Sequence, residues 1–378
     1  MNAQRWSAVP LLLAFAANAA PAQAILRVGP GFFPNIQAAV DAAAANDVVL
    51  VDAGVYPSFD VGKPLVITAQ PSALVQIVSA QELTFRLQPS GRLHLAGLDL
   101  QVGAVMVEGG LISLERCTVR TTRGMHVTSS IATLRWSSVG ASAASGLVAV
   151  DTELHASDST FSTATAGVLT IEHGAVKLLG GSNCQLALCT LVGAWPVSPR
   201  APWPSVALHT SRAATTSRAW IVDCNLQGGF HAAGPLGPSM VAASTGQARV
   251  RLHRTQVSGL AIGNIAAGPV LGLHTPQDMT IGSTFVTTMR GEPGHLLELY
   301  VGTDISGPFN LPLLEQVPLG FQQLVFLPPV VADWQGHADV PFTTPNNPTL
   351  RHTVLFWRGL DLSTFPVQAP PVFVTVMQ

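Results

Sequence analysis

The sequence predicts an all-β solenoid of stacked coils followed by a small antiparallel β module, and three observations carry that expectation. A short pattern, apolar-x-x-(Cys, Ser, Thr or Leu)-x-apolar, recurs as Leu95/Leu98/Leu100, Leu114/Cys117/Val119, Leu134/Ser137/Val139, Ala156/Ser159/Phe161, Ile221/Cys224/Leu226 and Leu252/Thr255/Val257. Its first four occurrences lie 19, 20 and 22 residues apart, a period at which one supersecondary unit stacks on the next. The 378 residues are 48% hydrophobic and only 11% charged, with 34 Gly and 28 Pro. A typical soluble domain is about one quarter charged, so this balance suits many turns and weakly charged faces. From about Pro276 the pattern is absent, and strand-like runs separated by Pro and Gly replace it.

Residues 1–24 read as a secretory signal peptide. Arg5 supplies the positive start, Ala8 to Ala20 with Leu11-Leu12-Leu13 is apolar, and Ala22-Gln23-Ala24 is a small-x-small cleavage site. A span needs about 20 apolar residues, so the mature chain is expected to carry no membrane span. It is expected outside the cytoplasm: secreted, at the cell surface or in the periplasm. Ile25 to Val28 then reads as a strand, and Asn35 or Pro34 starts a helix through Ala43 whose apolar positions follow a 3.6 period. Asn46-Asp47 ends it, Val48 to Val51 is a buried strand, Ala53 to Tyr56 a turn and edge, and Leu65 to Thr68 the next strand.

These residues carry a resemblance. Asn35-Ile36-Gln37-Ala38-Ala39-Val40-Asp41-Ala42-Ala43, then Asn46-Asp47-Val48-Val49-Leu50-Val51, Ala53-Gly54-Val55-Tyr56 and Lys63-Pro64-Leu65 resemble the opening of secreted bacterial proteins with the pectin-lyase-like right-handed parallel β-helix. The resemblance implies a β-helix over residues 25–275 whose open end is capped by the helix. The clear match covers Ile25 to Thr68, and the coil repeat extends it to about Val257. Trp195-Pro196 through Trp203-Pro204 reads as an insertion leaving the solenoid, with the next coil beginning near Ala219; Gly234 to Pro238 is a second interruption. Residues 276–378, with strands over Thr284 to Met289, His295 to Val301, Gln323 to Leu327, Thr353 to Trp357 and Val372 to Met377, suggest a β-sandwich-like module. It resembles the C-terminal β modules that follow repeat regions in secreted proteins of some environmental bacteria.

In such a coil the Cys/Ser/Thr column is inward or at a turn, where stacked hydroxyls satisfy one another. The flanking columns point outward: His94, Ser113, Thr133, His155, Trp220, Arg251 before the first core position, and Ala96, Glu115, Arg135, Ser157, Val222, His253 after it. Cys117 and Cys224 share a column several coils apart, too far to bridge at about 4.8 Å per rung. Cys184 and Cys189, five apart in a loop-like segment, either pair or remain two free thiols. No His or second Cys pair has zinc-like spacing, so no metal is expected.

Glu115 and Arg116, Arg135 and Trp136, and His155 and Asp158 fall on adjacent coils at nearby columns, within roughly 5 to 10 Å. Glu115, Arg135, His155 and Asp158 are the catalytic candidates, since a carboxylate, a guanidinium and an imidazole in one groove could support acid–base work on a sugar. Arg116, Trp136, Trp195 and Trp203 are the binding candidates, the indoles offering a flat face to sugar rings. A polar outward face is also the default of any solvated sheet. The family's enzymatic motifs argue against catalysis. The Asn-Thr-Asp, Asp-Asp and Gly-His-Gly segments of polygalacturonase-like hydrolases are missing, as is the acidic calcium cluster of pectate lyases. Asp158-Ser159-Thr160-Phe161 resembles the methylesterase segment without its Gln.

A net charge of −2 with only two Lys, Lys63 and Lys177, leaves no basic field for nucleic acid. No phosphate loop or dinucleotide fingerprint calls for a cofactor. Two readings follow. The first is an exported, non-catalytic β-helix protein that binds a polysaccharide or cell-surface glycan, adheres, or serves as a structural element. The alternative is a polysaccharide-active lyase, glycoside hydrolase or esterase.

Overall fold

The computed structural model describes residues 23–163, 174–193, 206–210, 217–227, 240–244, 249–253, 255–258, 260–262, 265–267, 272–274, 279–302, 325–347, 354–363 and 373–376. The first 22 residues of the expected leader, the Trp195–Pro204 insertion with both of its indoles, and Gly234–Pro238 lie outside the described residues.

Each coil is three-sided. The chain runs Leu111–Glu115, Thr118–Thr121 and Met125–Thr128, then repeats as Ile131–Arg135, Ser138–Ala141 and Leu147–Val150. Corresponding strands pair in parallel, so among the described residues the three sides build sheets of 11, 9 and 8 strands. Register is kept from coil to coil: Leu114 pairs with Leu95 and Leu134, and Glu115 with Ala96 and Arg135. The result is a parallel β-helix-like solenoid, and the repeat in the sequence is its register. Leu114, Val119, Val127, Leu134, Val139 and Ala149 come from all three sides and meet in one buried cluster. The helix Ile36–Ala42 starts where the Asn35 side chain accepts the Ala38 N–H at 2.8 Å, which satisfies one orphan donor of its first turn. It buries Ile36, Ala39 and Val40 in the same cluster and touches the strands Ile25–Val28 and Val48–Val51.

The corner between the first and second sheets explains the small polar position of the repeat. Gly97, Arg116, Trp136, Asp158, Leu188 and Asp223 stack there with φ between 45° and 70°, a left-handed conformation that costs a non-glycine residue roughly 1–2 kcal/mol. Hydrogen bonds between coils offset that cost. The Arg116 N–H donates to Arg135 O at 3.0 Å, Trp136 N–H to Ser157 O at 3.2 Å, and Asp158 N–H to Ala187 O at 3.1 Å. The next residue of each coil, Cys117, Ser137, Ser159, Cys189, Cys224 or Thr255, turns inward. Cys117 N–H donates to Ser137 Oγ and Ser137 N–H to Ser159 Oγ, both at 3.2 Å. Ser137 Oγ in turn reaches Arg135 O at 2.9 Å. The column therefore ties each coil to the next through a side chain that both accepts and donates. A similar device stands where the chain enters the first sheet, where Thr152 N–H donates to Ser182 Oγ at 3.2 Å and Thr152 Oγ1 reaches Val150 O at 2.9 Å.

The solenoid also contains a coil that the sequence expectation passed over. Asn183–Ala187, Thr190–Val192 and Val206–Thr210 continue all three sheets before the coil at Ala219. Leu186, Cys189 and Leu191 fit the repeat pattern, and the segment read as a loop is a strand and its corner. The period was hidden because extra residues accumulate chiefly at one corner, with a further stretch between Thr210 and Arg218. The second-sheet strands ending at Thr163, Val192 and Gln227 are followed by third-sheet strands starting at Gly174, Val206 and Met240. The earlier coils make the same passage from Thr121 to Met125.

Beyond the coils the pairing turns antiparallel. Gly272–His274, Thr284–Arg290 and His337–Thr343 form one sheet, and Val325–Phe326, Leu296–Gly302, Val354–Asp361 and Phe373–Val376 run in order through another, with Val330–Val331 also pairing Leu296–Gly302. Met289, Val340 and Phe342 of the first and Leu297, Leu299 and Trp357 of the second share a separate buried cluster. Trp357 meets Phe342 edge-on with centroids 5.0 Å apart. The strand His337–Thr343 was not foreseen. Its buried and exposed residues alternate throughout, and Pro341 takes an exposed position on a sheet edge, where a missing N–H is tolerated.

Replacing Ser137 with Ala removes the acceptor of the buried Cys117 N–H and is expected to cost about 1–3 kcal/mol in urea unfolding. Ser137→Cys is expected to cost less, because sulfur fills the same post at Cys117 and Cys189. Equal losses for the two variants would show that the corner column does not bind the coils together.

Candidate functional site

Register places three of the four catalytic candidates, Glu115, Arg135 and His155, on the outer side of the first sheet. Glu115 pairs directly with Arg135, and His155 pairs with Thr133 and Gln185. Direction along a strand does not fix exposure, however. His155 is 2% exposed, and Arg135 and Glu115 are 5% exposed each. The chain's own C-terminal sheets lie against this face. The strand Glu153–Ser157 touches Phe373–Val376, and Asn183–Ala187 touches Gly272–His274. Ala187 of the outer column belongs to the buried cluster of Met279, Met289 and Trp357, and Arg290 Nη1 stands 3.3 Å from Asp223 Oδ2. The predicted acid–base face is thus a seat inside the molecule and not an open groove.

Within the seat, Glu115 lies between a guanidinium and an imidazole, with Arg116 Nη2 at 3.4 Å from Oε1 and His94 Nε2 at 3.9 Å from Oε2. The Arg135 guanidinium carbon sits 3.7 Å from the Trp136 ring centroid, so this indole faces a cation of its own chain. Asp158 stands apart from Glu115, Arg135 and His155, on the left-handed corner column with Arg116 and Trp136. Thr133 Oγ1, both ring nitrogens of His155 and Gln185 Oε1 are buried on adjoining coils and find no hydrogen-bond partner among the described residues. Each such group costs about 1–3 kcal/mol.

An open concavity lies beside this seat, at the corner leading into the first sheet. Its volume is ≈ 460 Å³, and it crosses five coils from Pro89–Arg92 to Gly181–Asn183. Small residues line the stacked corner, Gly91, Gly110, Ser130 and Thr152 on successive coils and then Gly181, which keeps the floor low. A Cβ on Gly110 would come within 2.6 Å of Gly91 O. Arg92, Asp151, Glu153 and Asn183 supply the polar walls. Arg92 and Glu153 occupy one register column three rungs apart, or about 14 Å at sheet spacing. Glu153 Oε1 stands 3.1 Å from His155 Nε2 without hydrogen-bond geometry, so an imidazole buried in the seat lies against a carboxylate on the groove wall. Asp151 Oδ1 accepts the Gly181 N–H at 2.8 Å. The sequence reading missed Arg92, Asp151 and Glu153. The available signal was the outward column two residues before His94 and His155.

The remaining candidates are dispersed. Cys184 is an inward residue of Asn183–Ala187, Cys189 belongs to the corner column, and all four Cys are free and buried. Burial pushes the Cys117 thiol up to about 12. Asp333-Trp334-Gln335-Gly336 reads in the sequence as a turn with a packing Trp, and the turn forms, with Asp333 Oδ1 accepting the Gln335 and His337 N–H groups at 2.8 Å. Those backbone donors, the His337 N–H foremost, hold the Asp333 carboxyl below its usual range. Trp334 does not pack as foreseen; it is 81% exposed. Among the described residues, no group of three His, Cys, Asp or Glu is placed to hold a metal, and no helix is long and apolar enough to cross a membrane. No family model, curated protein or solved structure matches this chain.

Thr133→Val removes a buried hydroxyl at constant shape and is expected to leave stability unchanged or raise it by about 1 kcal/mol in urea unfolding. A loss of more than about 1 kcal/mol would show that the hydroxyl has a partner in the seat.

Proposed function

We propose that the chain is an exported, non-catalytic glycan-binding protein of the pectin-lyase-like right-handed β-helix type. In this reading the helix Ile36–Ala42 caps the N-terminal end of the solenoid, and the two antiparallel sheets form a sandwich docked on its side. The observation that carries the reading is the groove across five coils. It has a floor of small corner residues, polar walls and a length along the solenoid axis that suit a linear polysaccharide lying across the rungs. Burial of Glu115, Arg135 and His155 argues against catalysis at the face first suspected. A leader cleaved after Ala24 would start the mature chain at Ile25, the first residue of the first strand.

The alternative, a polysaccharide lyase, hydrolase or esterase, is favoured by one contact, Glu153 with His155. In an enzyme Glu153 would be the proton-transferring group on the groove wall and His155 its positioning residue.

Affinity electrophoresis of the mature protein through a panel of neutral and acidic polysaccharides tests both readings. At least one polysaccharide is expected to retard it, with Arg92→Ala and Glu153→Gln each weakening retention about tenfold, on the order of 1.4 kcal/mol. Retardation by no polysaccharide sinks the binding reading. Release of reducing or unsaturated sugars that Glu153→Gln abolishes would establish the enzymatic one.

A further inference from the structure

We propose that Cys189 and Cys224 form a disulfide that staples two adjacent coils through the corner column. The inference deepens the proposed export, because an oxidising compartment would supply the disulfide-bearing oxidant.

The two cysteines hold the same corner position on neighbouring coils. Their successors Thr190 and Asn225 are register partners. The backbone is bonded on both sides of the pair: Leu188 N–H donates to Val222 O at 3.1 Å and Asn225 N–H to Cys189 O at 2.8 Å. Rungs of a sheet are about 4.8 Å apart, inside the Cα separation of about 4.4–6.8 Å that disulfides adopt. Cys224 Sγ already lies 3.3 Å from the Cys189 backbone nitrogen. Elsewhere among the described coils this column pairs Ser137 with Ser159, and Cys117 with Leu98 and Ser137, so no other rung stacks two thiols.

Loss of the thiol protons strands no backbone group. In the reduced form Cys189 Sγ donates to Ala187 O and Cys224 Sγ to Val222 O, at 3.2 and 3.1 Å. Both carbonyls also accept an N–H, from Asp158 and from Leu188, and keep it after oxidation. The two thiols lose two protons and two electrons, and the sulfurs join. A small or protein disulfide takes up the electrons by exchange and leaves as two thiols. Burial raises the Cys189 thiol well above its usual range, and both sulfurs are buried away from a disulfide in solution. Exchange therefore precedes closure of the coil. Cys184 pairs in register with Leu154 and Ala219 and has no stacked thiol.

The test is refolding of the full mature chain in a reduced/oxidised glutathione couple, followed by thiol alkylation in denaturant and peptide mapping without reductant. The expected result is a mass lower by two hydrogens, a linked peptide pair carrying Cys189 and Cys224, and alkylation of Cys117 and Cys184 only. Cys189→Ser and Cys224→Ser keep the side chain this column uses at Ser137 and Ser159, and each is expected to leave three alkylated thiols. Four alkylated thiols in folded wild-type protein, or a link through Cys184, overturns the proposal. Refolding in vitro does not depend on export. Failure of export would instead appear as an uncleaved leader in cells, whatever the thiol count.

Discussion

The corner between the first and second sheets is the constraint on which the rest of the molecule depends. A solenoid whose coils repeat in register must bend its backbone at the same place every turn. Here it does so through a left-handed residue that is glycine only at Gly97 among the described coils. The strain is tolerated because the following Ser, Cys or Thr faces inward and bonds its own coil and the next one. Small size lets that side chain sit inside the turn. Having both a donor and an acceptor lets it serve two coils. Once the corner is fixed in this way, register is fixed along each strand, and side chains fall into columns.

Those columns account for the functional layout. Inward columns make one continuous core from Val28 to Val250. Outward columns on the first sheet carry charges that would be ordinary in water, but the C-terminal sheets lie on them. Glu115 is flanked by His94 and Arg116, and Arg135 stacks on Trp136, as buried charges require. One register column nearer the strand starts, Arg92, Glu153 and Asn183 stand on the walls of the open groove. A shift of two residues along a strand thus separates a group buried in the docking seat from one able to meet a ligand. His155 and Glu153, on the same face two residues apart, connect the two.

Much of this was legible in the sequence, for particular reasons. The pattern Leu114/Cys117/Val119 fixed coil position and column because stacking makes like positions face like neighbours. Asn35 marked the helix start because a side-chain acceptor is needed there. The coil at Leu186/Cys189/Leu191 escaped, although it fits the pattern, because inserted residues at one corner stretched the period. The left-handed column was invisible because Arg116, Trp136 and Leu188 are not residues whose chemistry announces that conformation. The burial of the suspected site was also out of reach. Alternation gives the face of a sheet, while what lies on that face depends on chain more than a hundred residues away. The groove residues were missed for the opposite reason: their floor is a stack of small corner residues, Gly91, Gly110, Ser130 and Thr152, whose chemistry announces no site.

The central claim is that the C-terminal sheets seat on the charged columns of the first sheet. Covalent footprinting of the native full-length protein tests it most directly, with a carbodiimide for carboxylates and diethyl pyrocarbonate for imidazoles, read by peptide mass spectrometry. Glu115 and His155 are expected to stay unlabelled until the chain unfolds, while Glu82, Glu108 and His126 label in the native state. Labelling of Glu115 and His155 as fast as Glu108 and His126 would contradict the account and return the outer face of the first sheet to solvent.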